Sequence, residues 1–157
     1  MAARNDRGLE ERSERAISET LVFRMIVAMN LIMKPFIEVH GKTWDLSLSE
    51  WRCILWLAAA PRASGEDVAR GTGMDRMTVS RTLRRLERDG RASRSTDPRN
   101  RRRSEWRLTK TGWAIYDGIV PSALERDRSI TRAMTREERK LLKRSLDRMI
   151  ADLRENS

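Results

Sequence analysis

The chain has 157 residues, enough for one domain with its own hydrophobic core and some additional helix. Apolar residues make up 39% and charged residues 36%, which excludes a disordered chain and is rather charged for a metabolic enzyme of this size. The formal net charge of +10 admits two readings, a polyanionic partner or an evenly spread solubilising surface.

Location separates them. Residues 70–110 carry 14 Lys/Arg against 5 Asp/Glu, a net of +9, and all other residues together contribute +1. A solubilising surface has no need of that concentration, whereas a phosphate-binding face does. Cys53 is the single cysteine, so no internal disulfide and no CxxC metal site can form. The N-terminal run MAARNDRGLEERSER has no apolar signal core, and the apolar stretch from Met25 to Met29 is far too short to span a bilayer. The expectation is a reducing, cytoplasmic (nucleoid-associated) setting, with no membrane partner.

The elements follow in chain order. Residues 12–40 read as a long helix, because Ile17, Leu21, Met25, Ala28, Ile32 and Phe36 recur at steps of three and four; Pro35 should bend or end it. Its wide apolar face suits either a second subunit or the chain's own domain. Residues 41–48 read as a loop, and Ser49 as the cap of a helix over about 50–60. Ser64-Gly-Glu-Asp67 reads as a capping box opening a short helix that ends near Gly71, with Gly71-Thr-Gly73 as a tight turn. Asp75 caps the next helix, which ends at Gly90. Residues 91–96 and 104–109 read as two short strands around a basic hairpin loop, Asp97–Arg103. Thr109 caps a helix over about 110–132, bent at Pro121, and Thr135 caps the last helix, striped by Leu142, Leu146, Met149 and Leu153.

A helix-turn-helix followed directly by a basic hairpin is a winged helix. The predicted fold class is mainly α with a small β-hairpin wing: a winged helix-turn-helix flanked by N- and C-terminal dimerisation helices. The boundaries are 12–48 for the N-terminal helix and loop, 49–109 for the DNA-binding lobe and 110–154 for the C-terminal helices.

On a helical wheel of about 100° per residue, Val79, Leu83 and Leu86 share one arc of the helix over 75–89; Met77, Arg81, Arg84 and Arg88 lie opposite. Thr78, Ser80 and Arg85 flank that outer face. Such a helix fits the major groove, where arginine pairs with guanine O6 and N7 and an apolar side chain meets the thymine methyl. Arg76, Met77, Thr78, Ser80 and Arg81, nearest the N-terminal end, are the candidates for base readout. Arg84, Arg85 and Arg88 are the candidates for phosphates. A plain solvated basic face is the competing reading, which the adjoining wing disfavours. Wing residues Arg99, Arg101 and Arg102, with Arg103, suit a narrow minor groove or nonspecific phosphate contact.

The run from Met74 to Gly112, MDRMTVSRTLRRLERDGRASRSTDPRNRRRSEWRLTKTG, resembles the recognition helix, wing and exit helix of the MarR family. Leu86 and Gly90 match its helix end, Asp97, Arg99, Arg101 and Arg102 its wing, and Leu108, Thr109 and Gly112 the entry to the next helix. Asn100 stands where the wing commonly has a second acid, and Arg91 and Ala92 where aliphatic residues are usual. The resemblance extends over roughly residues 12–154. It implies a homodimer whose terminal helices interlock, two recognition helices on a pseudo-palindromic double-stranded DNA site with half-site centres about 10 bp apart, and repression relieved by a small molecule.

By the same resemblance, the ligand pocket would lie among the first helix, the helix at 50–60 and the helix after Gly112. That implies Met25, Met29, His40, Trp44, Trp51, Arg52 and Trp113, with Met33 nearby. Five Trp and eight Met against one Tyr and two Phe suit an adaptable aromatic-binding cavity or simple core filling. An aromatic acid, or its coenzyme A thioester held by Arg4, Arg7, Arg12 and Arg15, is the implied effector class. No cofactor is expected. Cys53 is either a redox sensor or a buried structural thiol. With His40 the sole histidine, no HExxH and no Gly-rich phosphate loop, no enzyme is expected. A nonspecific nucleoid-type DNA-coating protein is the rival class.

Overall fold

The structure is a computed structural model that describes residues 17–97 and 100–156. It separates into two units, residues 1–43 and 44–157. In the first, α1 (Leu21–Phe36) is capped by Thr20, whose side chain accepts from the Phe23 N–H. Pro35 neither ends nor breaks the helical path. Its missing N–H is followed by a wider π-helical turn, Ile37–Gly41, and then by one more helical turn over Lys42–Trp44. The expected 41–48 loop is therefore shorter, and most of 41–44 is helical.

In the second unit, α2 (Leu48–Ala59) is capped by Ser47, two residues before the expected Ser49. The cause is the pair Ser47 and Glu50. The Ser47 hydroxyl accepts from the Glu50 N–H at 3.2 Å, and Glu50 Oε2 accepts from the Ser47 N–H at 2.8 Å. Strand β1 (Ala63–Ser64) leads into α3 (Gly65–Thr72), opened by the Ser64–Asp67 capping box as its spacing predicts. Gly71 lies inside α3, and the chain turns at Gly73, the left-handed residue with φ 69°. The reason is packing: a side chain at 71 would run into the Trp56 ring of α2.

Asp75 caps α4 (Arg76–Arg88) by accepting from the Thr78 N–H at 2.8 Å. Thr78 holds the Asp75 carboxyl below its usual range, first through the side-chain and then through the backbone hydrogen bond. Gly90, at φ 67°, lets the chain leave the helix. Strands β2 (Ala92–Asp97) and β3 (Asn100–Leu108) pair antiparallel from Ala92↔Leu108 to Thr96↔Ser104, with an irregularity before Asp97↔Asn100. The strands thus extend into most of the segment expected as loop, because the ladder is made by backbone groups whatever the side chains are. β1 adds to the other side of β3, giving the order β1-β3-β2. At two residues, β1 offers no periodicity to read.

Helices α5 (Lys110–Thr131) and α6 (Arg136–Glu155) begin at Thr109 and Thr135 as expected, and Pro121 lies inside α5. The core of this unit gathers Trp51, Ile54 and Leu57 of α2, Val68 of α3, Val79, Leu83 and Leu86 of α4, Trp106 of β3, and Ile115 and Ile119 of α5. It fixes α4 by its inner face. The result is a mainly helical winged helix. No residue of α1 or α6 is buried. Among the described residues, no helix is long and apolar enough to cross a membrane.

Candidate nucleic-acid interface

α4 presents two chemically opposite faces. Val79, Leu83 and Leu86 are buried, as the wheel predicts, and Thr82 joins them. Arg76, Met77, Arg81, Arg84 and Arg88 are exposed, with Thr78 and Ser80 half-buried between the faces. Met77, 71% exposed, is an apolar side chain held in water, which suits a site waiting for an apolar contact.

Beside this face, the N-terminal end of α3, α4 and the base of the hairpin enclose an open groove of about 700 Å³. Arg70, Arg76, Arg84 and Arg94 line it, over a floor that includes Val79, Leu83 and Trp106. Arg94 is ordered by two bonds to Ser104 Oγ, at 2.8 Å from Nε and 2.7 Å from Nη2, and stands over the Trp106 ring at 5.9 Å. Arg76 is held by Glu66, Nη2 to Oε1 at 2.8 Å. The carboxylates of Glu66 and Asp67 line the same groove, and Glu66 Oε1 also lies 4.0 Å from Arg70 Nη2, so the groove is basic on balance but two of its four guanidinium groups face an acid.

The MarR-family model matches residues 44–103, which span α2 through the start of β3. The homoprotocatechuate degradative operon repressor of Escherichia coli is 29% identical over 118 residues, covering 75% of this chain and 77% of that protein. Over these residues the chain is similar to MarR-family transcriptional regulators. The crystal structure of the transcriptional regulator SlyA shares the fold at TM-score 0.77, with 22% identity, 87% of this chain and 96% of that one covered. NadR in complex with 4-hydroxyphenylacetate is 26% identical, with TM-score 0.74 and coverage of 83% and 92%.

In this winged-helix frame, the base-reading candidates Arg76, Met77, Thr78, Ser80 and Arg81 lie together on the first two turns of α4. Arg84 and Arg88 continue the exposed face. Arg85 does not: its Nε lies 3.2 Å from Glu50 Oε1 and 3.6 Å from Asp89 Oδ2, and its Nη2 lies 3.5 Å from Asp45 Oδ2. Three carboxylates engage a residue expected at a phosphate, so it is an internal tie of the lobe. Arg99 lies outside the described residues. Arg101 and Arg102 lie on β3, and their side chains fall outside the described part of the chain. Sequence reasoning misses Arg94 and Glu66; the groove they share forms only when α3, α4 and the hairpin meet.

Of the ligand candidates, Met25, Met29 and His40 belong to the N-terminal unit, where the His40 ring lies 5.6 Å from Phe36 and Met29 is exposed. Trp44, Trp51, Arg52 and Trp113 belong to the other. There Tyr116 of α5 gathers two of them: Trp113 meets it edge-on at 5.4 Å, and the buried Trp51 lies 6.3 Å away. Trp44 packs against Gly118, where a Cβ would approach its Cζ2 to 2.7 Å. Arg52 is half-buried. Tyr116 escapes the sequence reading, although its spacing of three from Trp113 places the two on one helix face. Cys53 is fully buried, and burial first, then the charge of Glu50, pushes its thiol up to about 12. That environment is the reverse of what a reactive thiolate needs.

Proposed function

We propose that this chain is a MarR-type, sequence-specific, homodimeric repressor that acts on the chromosome in the cytoplasm and leaves its operator when an aromatic acid binds. The observation that carries the DNA reading is the exposed face of α4, with Arg76, Met77, Arg81 and Arg84 outward, Thr78 and Ser80 half-buried at its edges and the opposite face locked in the core. Mixed Arg, Thr, Ser and Met chemistry suits base edges, whereas a coating protein needs only cations. The wing arginines Arg99, Arg101 and Arg102 would reach the adjoining minor groove.

The homodimer reading is supported by uncovered apolar side chains. Leu21, Val22 and Leu31 of α1 are 63–67% exposed, and Leu141, Leu142, Ile150 and Leu153 of α6 are exposed too. A second copy of the chain would bury both stripes. Two recognition helices related by a two-fold axis then read a pseudo-palindrome.

The effector class draws on relatives. The Escherichia coli relative represses a homoprotocatechuate degradative operon, and NadR is solved with 4-hydroxyphenylacetate. The Trp51–Tyr116–Trp113 cluster supports this reading by offering aromatic surface, and Arg52, half-buried on α2 beside Trp51 in sequence, is the candidate cation. Trp44 of the same unit remains a candidate for the rest of the pocket. Release follows if the ligand prefers a conformation with mis-spaced recognition helices. A coenzyme A thioester would add phosphates for the N-terminal arginines, which lie outside the described residues.

The test is selection of bound duplexes from a random pool, followed by affinities at two salt concentrations. A recovered palindrome bound at least ~10³-fold more tightly than random DNA is the expected result. No motif, with steep salt dependence alone, would establish nonspecific coating instead. Release of the selected duplex by hydroxylated arylacetates then tests the effector class.

A further inference from the structure

We infer that Arg91 is a positioning residue for DNA reading: with Glu50 it forms a buried ionic hub that sets the angle of the recognition helix. This rests on the proposed DNA function and concerns how the reading helix is held.

Glu50 is 1% exposed, yet it is a carboxylate. Its Oε2 is used by the Ser47 cap, and its Oε1 faces two guanidinium groups, Arg85 Nε at 3.2 Å and Arg91 Nη1 at 3.8 Å. The Arg91 side chain is only 12% exposed. Its Nη1 donates to the Asp45 carbonyl and its Nη2 to the Trp44 carbonyl, both at 2.9 Å. The Arg91 backbone is engaged as well. Its N–H donates to the Leu86 carbonyl at 2.7 Å, and its carbonyl accepts from the Thr109 N–H at 3.1 Å. A side chain at Gly112 would strike that same carbonyl.

One residue therefore joins the last turn of α4, the first turn of α5, the N-terminus of α2 and the 44–45 segment. Asp45 is held in the left-handed region at φ 43°, and the ring of Trp44 rests on Gly118 of α5. A buried ion pair adds little net stability over a well-packed apolar pair, and Glu50 Oε1 accepts no hydrogen bond among the described residues, so the geometry is specified by the two bonds of Arg91 to the Asp45 and Trp44 carbonyls. The geometry matters here because the hub is at one end of α4 and the base-reading residues are at the other. Over the roughly 18 Å length of a 13-residue helix, a tilt of about 5° at the hub moves the reading end by about 1.5 Å. That exceeds the tolerance of a hydrogen bond to a base edge.

Arg91 points inward, so it has no part in phosphate contact. Its loss should then lower discrimination without changing salt dependence, which a merely cationic or merely structural role would not do. The test compares wild type, Arg91→Lys and the double variant Glu50→Gln/Arg91→Met. Lys keeps the charge but not the planar fork; the double variant removes both buried charges and so avoids an orphaned carboxylate. Melting temperature, affinity for the selected operator and affinity for a random duplex are measured at two salt concentrations.

Both variants are expected to fold and to lose at least ~5-fold in the operator-to-random ratio, about the effect of one mismatched base pair, with the salt slope unchanged. A wild-type ratio in either folded variant overturns the proposal. So does an equal loss on both duplexes with a shallower salt slope, which would make Arg91 a phosphate ligand. A wild-type chain that prefers no duplex removes the underlying DNA reading itself, a result distinct from either.

Discussion

Arg84 and Arg85 are neighbours in sequence with opposite expected roles, and substituting each by alanine separates them. Arg85 sits 3.2 Å from the buried Glu50 carboxylate. Removing one partner of a buried pair costs ~3–5 kcal/mol. Arg85 is 42% exposed, and Arg91 stays 3.8 Å from the same oxygen, so solvent and the second cation offset part of the loss. About 2 kcal/mol is expected for Arg85→Ala, a fall of roughly 4–8 °C in melting temperature for a chain of this length. Arg84→Ala removes no ion pair or side-chain hydrogen bond among the described residues and should change stability by less than about 0.5 kcal/mol. On DNA the order reverses. Arg84→Ala should reduce the salt slope by about 0.9 for each phosphate that is no longer neutralised, whereas Arg85→Ala should leave it unchanged. Melting is compared at one fixed protein concentration, because dimerisation would make stability concentration-dependent. An Arg85→Ala protein with wild-type melting and a reduced slope would refute the reasoning and return Arg85 to the DNA surface.

Two further outcomes are expected. Gly71→Ala gains about 1 kcal/mol of helix propensity but drives a methyl into the Trp56 ring, an overpacking cost of ~1–3 kcal/mol; a lower urea midpoint is expected, and a higher one would show that the ring yields freely. Cys53 should resist iodoacetamide and peroxide in the folded protein, with operator binding unchanged. Because its folded pKa of about 12 lies above the ordinary value of 9.0, the unfolded chain loses the proton first, and stability falls between those pH values, by up to about 1.4 kcal/mol per unit. Cys53→Val should remove that alkaline slope, and a slope that survives would assign it to another group.

What the sequence makes legible is what depends on neighbours along the chain. Caps at Ser64, Asp75, Thr109 and Thr135 each need a partner three residues on, and all four form. The buried face of α4 follows from the helical period alone. The failures share the opposite property, with one exception: Ser49 reads as the cap although S-x-x-E at Ser47–Glu50 is there to be read. Gly71 reads as a turn because nothing local announces the Trp56 ring above it.

The same physics explains why Arg85 is tied to the lobe while Arg84 stays exposed. A helical wheel ranks residues by direction, and Arg85 points close enough to the outer face to resemble its neighbours. What withdraws it is a carboxylate buried on another helix, and what withdraws Arg91 is a pair of carbonyls 46 and 47 residues away. A concentration of arginine therefore predicts where polyanion binding occurs without saying which arginines are free to do it. Each buried acid nearby claims one or more of them, because an unpaired carboxylate in the core is costlier than a cation withdrawn from the surface. In this chain Glu50 makes that claim, and it divides a basic cluster into side chains that stay exposed, such as Arg84, and side chains tied to the lobe, Arg85 and Arg91.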